Sequence, residues 1–171
     1  MIVTYRYRLL PAKRQHRALE QILESQRQLY NAALEERIGA YSKAGVTRTY
    51  IDQTKALTEW RRSDPEACAF PVCLQRATLK RLDEAYRGFF RRVARGGDPG
   101  FPRFRGKGWF DSFGFRQFEG ISLIGRSSAV QVHAGKSARA HRSGVPRGRP
   151  HQKLRLQARY ERLECVFRRG D

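Results

Sequence analysis

The 171-residue chain carries 35 Lys and Arg against 16 Asp and Glu, a formal charge of +19. Such an excess repels itself in a compact fold and points to a polyanion partner, nucleic acid or an acidic membrane surface. A hydrophobic share of 40% and an aromatic share of 11% exclude a disordered basic tail, and no apolar run approaches the roughly 18 residues of a membrane span.

The start, MIVTYRYRLLPAKRQ, lacks the continuous apolar region of a signal peptide, so a cytoplasmic location is expected. Residues 2–8 alternate apolar and polar, the mark of a short strand. Pro11 then opens a long helix whose apolar stripe runs through Leu19, Ile22, Leu23, Leu29, Tyr30, Ala33, Leu34, Ile38 and Tyr41, with Gly45 as its stop. A second helix begins at Thr49, whose hydroxyl caps the free amides while Asp52 faces the positive helix end. Ile51, Leu57 and Trp60 are its expected buried edge, and residues 63–65 end it. Pro71 suits the first turn of a third helix. Val72, Leu79, Leu82, Tyr86, Phe89, Phe90 and Val93 form its stripe, and Gly96-Gly97 closes it.

Residues 98–125 are rich in Gly and aromatics, with alternation at Phe113 and Phe115 and again at Ile121 and Leu123. Strands that pair with the N-terminal one are expected there. From Arg126 onward 12 Lys or Arg stand against 3 acids, no period fits residues 126–150, and residues 152–167 suggest only a weak basic helix.

Two features point to nucleic acid. The third helix carries Arg76, Lys80, Arg87, Arg91 and Arg95 opposite its apolar stripe, more cations than solubility requires. The segment GFPRFRGKGWFDSFGFRQF interleaves seven aromatics with Arg103, Arg105, Lys107 and Arg116. Arginine gives bidentate phosphate contacts, and the aromatics are assigned to the core rather than to base stacking. No catalytic constellation stands out. His16 is alone on a basic helix, His133, His141 and His151 lack carboxylate partners, and the acids of the first helix have Arg or Lys neighbours. Cys68, Cys73 and Cys165 form neither a disulfide framework nor a zinc spacing and read as free thiols.

Taken in order, YRYRLLPAKRQ, QLYNAALEERIGAY, TYIDQTKALTEWRR, LKRLDEAYRGFFRRV and PGFPRFRGKGWFDSFGF resemble successive landmarks of the TnpB (OrfB) transposon proteins over residues 1 to about 125. The resemblance implies an α+β fold in which a three-helix recognition bundle is inserted into an incomplete, wedge-like β-barrel. Residues 1–10 would be the first barrel strand, 11–97 the helical (helix-turn-helix) domain, 98–125 the return to the barrel, and 126–171 a basic, largely disordered tail. Family members are RNA-guided DNA nucleases with a RuvC-like domain and a zinc ribbon, and they read a short motif beside the target. By position, Tyr50 and the helix start near Arg76 match the motif-reading regions, although the family often has Gln where Arg76 stands.

After Gly125 the likeness stops. Codon degeneracy permits a frame shifted by one nucleotide to encode family-like, period-2 segments from Val130 onward, so a frameshift near residue 126 is expected. The RuvC carboxylates and zinc-ribbon cysteines have no counterpart here, and with them go the family's zinc and catalytic magnesium; no cofactor is expected. The resulting expectation is a non-enzymatic, nucleoid-associated bacterial fragment that binds DNA at a transposon end or target-adjacent motif, and guide RNA, with no membrane or small-molecule partner. Its rivals are a free-standing DNA-binding regulator of transposon ends and a general basic RNA-binding protein.

Overall fold

The computed structural model describes residues 3–115 and the strand segments 121–124, 129–132, 138–142, 154–159 and 162–169, with side chains described for residues 11–115. Strand β1 (Val3–Leu10) leads directly into helix α1 (Lys13–Ala44), whose 32 residues make a rod about 48 Å long at 1.5 Å per residue. Gly45 ends it in the left-handed region at φ 64° and donates its N–H to the Tyr41 carbonyl at 2.9 Å. Residues with a Cβ enter that region only at a cost, which is why glycine serves.

Helix α2 (Tyr50–Ser63) is capped as its sequence requires. The Asp52 N–H donates to the Thr49 hydroxyl at 3.3 Å, and the Thr49 N–H donates to the Asp52 carboxylate at 2.8 Å. A short 3-10 helix (Pro65–Ala69) follows, and helix α3 (Val72–Ala94) begins just after Pro71.

The three helices meet around Tyr30, Ala33 and Leu34 of α1, Leu57 of α2, and Leu79 and Leu82 of α3, closed by Phe110 from the loop beyond α3. The spacings of three and four put the α1 and α3 residues on one face of their helices, and each buried large side chain contributes roughly 1.5–3 kcal/mol. Two expectations are corrected. Ile51 and Trp60 are 63% and 44% exposed, and Gln53 takes the buried place beside Leu57. The α3 stripe likewise buries Leu79 and Leu82 but leaves Phe90 and Val93 exposed in its last turns.

The strands form one antiparallel ladder. After β1 come β2 (Ser112–Phe115), β3 (Ile121–Ile124), β4 (Ala129–Val132), β5 (Ala138–Arg142), β6 (Leu154–Arg159) and β7 (Arg162–Arg169), ordered β2-β6-β7-β1-β5-β4-β3. Strand β1 pairs with β5 and β7, whereas β2 pairs with β6 and β3 with β4, so neither strand of the 98–125 segment pairs with β1 as expected. Among the described residues β2 and β3 are the two ends of the ladder and are not joined, so the wedge-like barrel is not supported. Four strands lie beyond residue 126, in place of the expected largely disordered tail, and β6 and β7 occupy the stretch that suggests a basic helix. The physical reason is in the residues: Leu154, Leu156 and Ala158, then Leu163, Cys165 and Phe167, stand at alternate positions. That is the period of a strand, masked by the charged and polar residues among and around them, Arg155, Gln157, Arg159, Arg162, Glu164 and Arg168.

Candidate nucleic-acid interface

Helix α3 separates its charges between two sides. Its inner side meets a polar seam between the helices. There Arg37 of α1, 8% exposed, donates its Nε to the Gln53 amide oxygen at 2.9 Å, and its Nη2 lies 3.7 Å from Asp83. Gln53 in turn donates to the Ala33 carbonyl at 2.7 Å and to Glu36 at 2.9 Å, and Arg48 covers Glu36 at 2.9 Å. The Arg37 guanidinium also sits 4.9 Å from the centre of the Tyr86 ring.

Asp83 gathers three cations. Lys80 donates to it at 2.8 Å and Arg87 at 3.1 Å, beside Arg37. Burial pushes the Asp83 carboxyl up, but the Lys80 hydrogen bond and the charges of Lys80, Arg87 and Arg37 outweigh it and hold the pKa below the ordinary carboxylate value.

The outer side of α3 carries Arg76, Arg87 and Arg91, all exposed, and ends at Arg95. Lys80 links the two sides, since its ammonium also lies 4.9 Å over the Tyr50 ring. Tyr50, half-buried at the start of α2, packs against the core and sits next to the basic face.

The loop after α3 is laced to the helices at defined points. Arg92 donates Nε to the Pro99 carbonyl at 2.7 Å and Nη2 to the Gly100 carbonyl at 2.9 Å. Phe101 packs edge-on against Tyr86 and Phe89, with ring centres 5.5 and 5.2 Å apart. The backbone of Arg105 is held by α1: its N–H donates to Asn31 at 2.8 Å, and its carbonyl accepts from Asn31 at 2.9 Å and Arg27 at 3.0 Å. Arg81 then donates to the Ser112 carbonyl at 2.8 Å and lies 4.6 Å from the Phe110 ring centre.

Between these anchors Arg103, Phe104, Lys107 and Trp109 face solvent, Trp109 with 76% of its surface exposed. The aromatic run is therefore of two kinds. Phe110, Phe113 and Phe115 are core, as expected, while Phe104 and Trp109 are presented to solvent beside cations.

The structure thus brings together Tyr50, Arg76, Lys80, Arg87 and Arg91 on and beside α3, and Arg91, Arg103 and Arg105 around the start of the loop. Lys107 stands farther along the loop, and Arg116 lies outside the described residues. Sequence reasoning missed Arg81 and Arg92, the arginines that hold the loop, because their partners are carbonyls that no spacing reveals. It missed the Arg37 seam as well. Among the described residues no group of three or more His, Cys, Asp or Glu is placed to hold a metal ion, and no described helix is long and apolar enough to cross a membrane. Cys68 and Cys73 form no disulfide.

No curated protein matches the chain. Residues 1–45, which hold β1 and α1 up to the Gly45 stop, match the family model for the helix-turn-helix domain of the IS605 OrfB proteins. That match makes the N-terminal 45 residues similar to the helix-turn-helix domain of OrfB/IS605-family transposases and supports a DNA-binding, transposase-related function.

Proposed function

We propose that the chain grips DNA through the outer face of α3 and the loop that follows it, as the nucleic-acid-holding part of a transposition protein. One observation carries this reading. Arg76, Arg87 and Arg91 stand exposed opposite the buried stripe of the same helix, so one side packs while the other meets phosphates. Tyr50 at the edge of that face is the candidate reader of a short target-adjacent motif or a transposon end. The chain holds nucleic acid without cutting it.

The test is fluorescence anisotropy with duplexes taken from the flanks of the gene and with random duplexes, across a salt series. Tighter binding to the flanking DNA at every salt concentration is the expected result. Equal affinity for both, with the same steep salt dependence, would leave only a general basic binder.

A second reading, contact with guide RNA or another single strand, is favoured by Phe104 and Trp109. Two exposed aromatics beside Arg103 and Lys107 offer stacking surfaces that unpaired bases use and duplexes do not. Trp109→Ala would lower affinity for an RNA strand and leave duplex affinity unchanged.

A further inference from the structure

The last turns of α3 and the start of the loop border an open cavity of about 440 Å³, with Tyr30 of α1 among its lining residues. Its wall carries four guanidiniums, from Arg91, Arg92, Arg103 and Arg105, against the single carboxylate of Glu84, a net of three positive charges. Arg92 is committed to the Pro99 and Gly100 carbonyls and so braces the wall. Arg105 differs. The three hydrogen bonds that fix it to Asn31 and Arg27 use its backbone N–H and carbonyl, so its side chain is not needed to hold the loop.

That side chain lies along the cavity, with its guanidinium carbon 6.0 Å from the Tyr30 ring centre. Its Nε is shielded from water and donates to nothing among the described residues. Folded proteins rarely leave such a donor without an acceptor, and a guanidinium can only donate. Arg91 and Arg103, also on the wall, have no acceptor among the described residues either. The wall therefore carries the guanidiniums of Arg91, Arg103 and Arg105 beside the braced Arg92, against the one carboxylate of Glu84, more cation than its own anion balances.

We propose that this cavity is a phosphate pocket that takes one backbone phosphate of a single nucleic-acid strand, held by Arg91, Arg103 and Arg105. Arginine suits phosphate because its planar donors match two oxygens at once. A single strand is the fitting source because its backbone can bend into a recess, whereas a duplex holds its phosphates on a stiff convex surface. Phe101 on the wall, 47% exposed, gives the attached sugar or base apolar contact. The proposal rests on the nucleic-acid reading above and adds to it a strand type and a site.

The experiment compares the full chain with Arg103→Gln, with Arg105→Gln and with the outer-face variant Arg76→Gln. Each is titrated by anisotropy with a thymidine homopolymer strand and with a duplex of the same length, over a salt series. Thermal melting of each variant reports folding, and Arg103→Gln at an exposed position keeps the test usable if Arg105→Gln does not fold. The expected result is roughly tenfold weaker single-strand binding for the two pocket variants, with unchanged duplex binding. Their log–log salt slope should be shallower by about 0.7, the share of one neutralised phosphate. Arg76→Gln should do the reverse. Pocket variants that weaken both probes equally, or neither, would overturn the pocket and leave the DNA reading standing. Binding of neither probe by the unaltered chain would overturn both.

Discussion

The two sides of α3 carry the same residue types and do opposite things. On the inner side, Arg37 and Lys80 converge on Asp83 with Gln53 and Tyr86 around them, and each cation has a partner inside the fold. On the outer side, Arg76 and Arg91 stand in water with no partner among the described residues. Arg87 belongs to both, touching Asp83 while 73% of its side chain stays exposed. The difference teaches that a charge of +19 is not a map of a binding surface. Part of it is consumed by structure, and only the remainder is available to a polyanion.

The largest expected effect comes from emptying the seam. Asp83→Ala removes the carboxylate that faces three cations and leaves Arg37 buried without a countercharge, which should destabilise the fold by about 3–5 kcal/mol. Urea unfolding of the purified chain measures it. A loss below about 1 kcal/mol, the range of exposed pairs, would mean that the seam is no more than a surface ion pair and would erase the distinction between the two sides.

The same carboxylate gives the seam a pH signature. Its folded pKa is depressed, so its stabilisation is fully present above the unfolded carboxylate value of about 3.9 and is lost as pH falls through the lower, folded value. Melting temperature should therefore drop on acidification, with a shallower acid limb in Asp83→Asn than in the unaltered chain. Identical acid limbs would place the pH sensitivity elsewhere.

A smaller effect is expected at the loop. Arg81→Ala strips the hydrogen bond from the Ser112 carbonyl and the cover from Phe110, at a cost of about 1–3 kcal/mol. Smaller again is Thr49→Ala, which removes the α2 cap for about 1 kcal/mol. Both are read from denaturation midpoints.

The contrast between these two sites also marks what the sequence makes legible. The Thr49–Asp52 cap, the Gly45 stop and the start of α3 after Pro71 are local. Each depends on residues within four positions of one another, and each is where the sequence puts it. Lys80, Asp83 and Arg87 also have helical spacing, which hints at the seam. Arg81 meets Ser112 from 31 residues away, and the Arg105 backbone meets Asn31 across 74, so no periodicity reports either. Gln53 escapes a reading in which apolarity is the sign of burial, and Ile51 and Trp60 stand in its place. The Arg37 guanidinium and the Ala33 carbonyl select an amide at that position instead. The strands after residue 126 are hidden for the opposite reason, their alternation being present but overlaid by charge.

The smallest effect on stability is expected where the effect on binding should be greatest. Arg91→Gln on the outer side removes an exposed guanidinium with no partner among the described residues, so stability should stay within about 0.5 kcal/mol of the unaltered chain. Its charge is nevertheless one that a phosphate would neutralise, on the outer face or in the pocket, so its loss flattens the log–log salt slope by about 0.9 for a duplex and about 0.7 for a single strand. Measured side by side, Asp83→Ala and Arg91→Gln should therefore exchange roles, the first moving the unfolding midpoint and the second moving affinity at constant midpoint. If Arg91→Gln lowered the melting temperature as Asp83→Ala does, the outer cations would be structural too. The available charge would then have to be sought in the loop at Arg103 and Lys107.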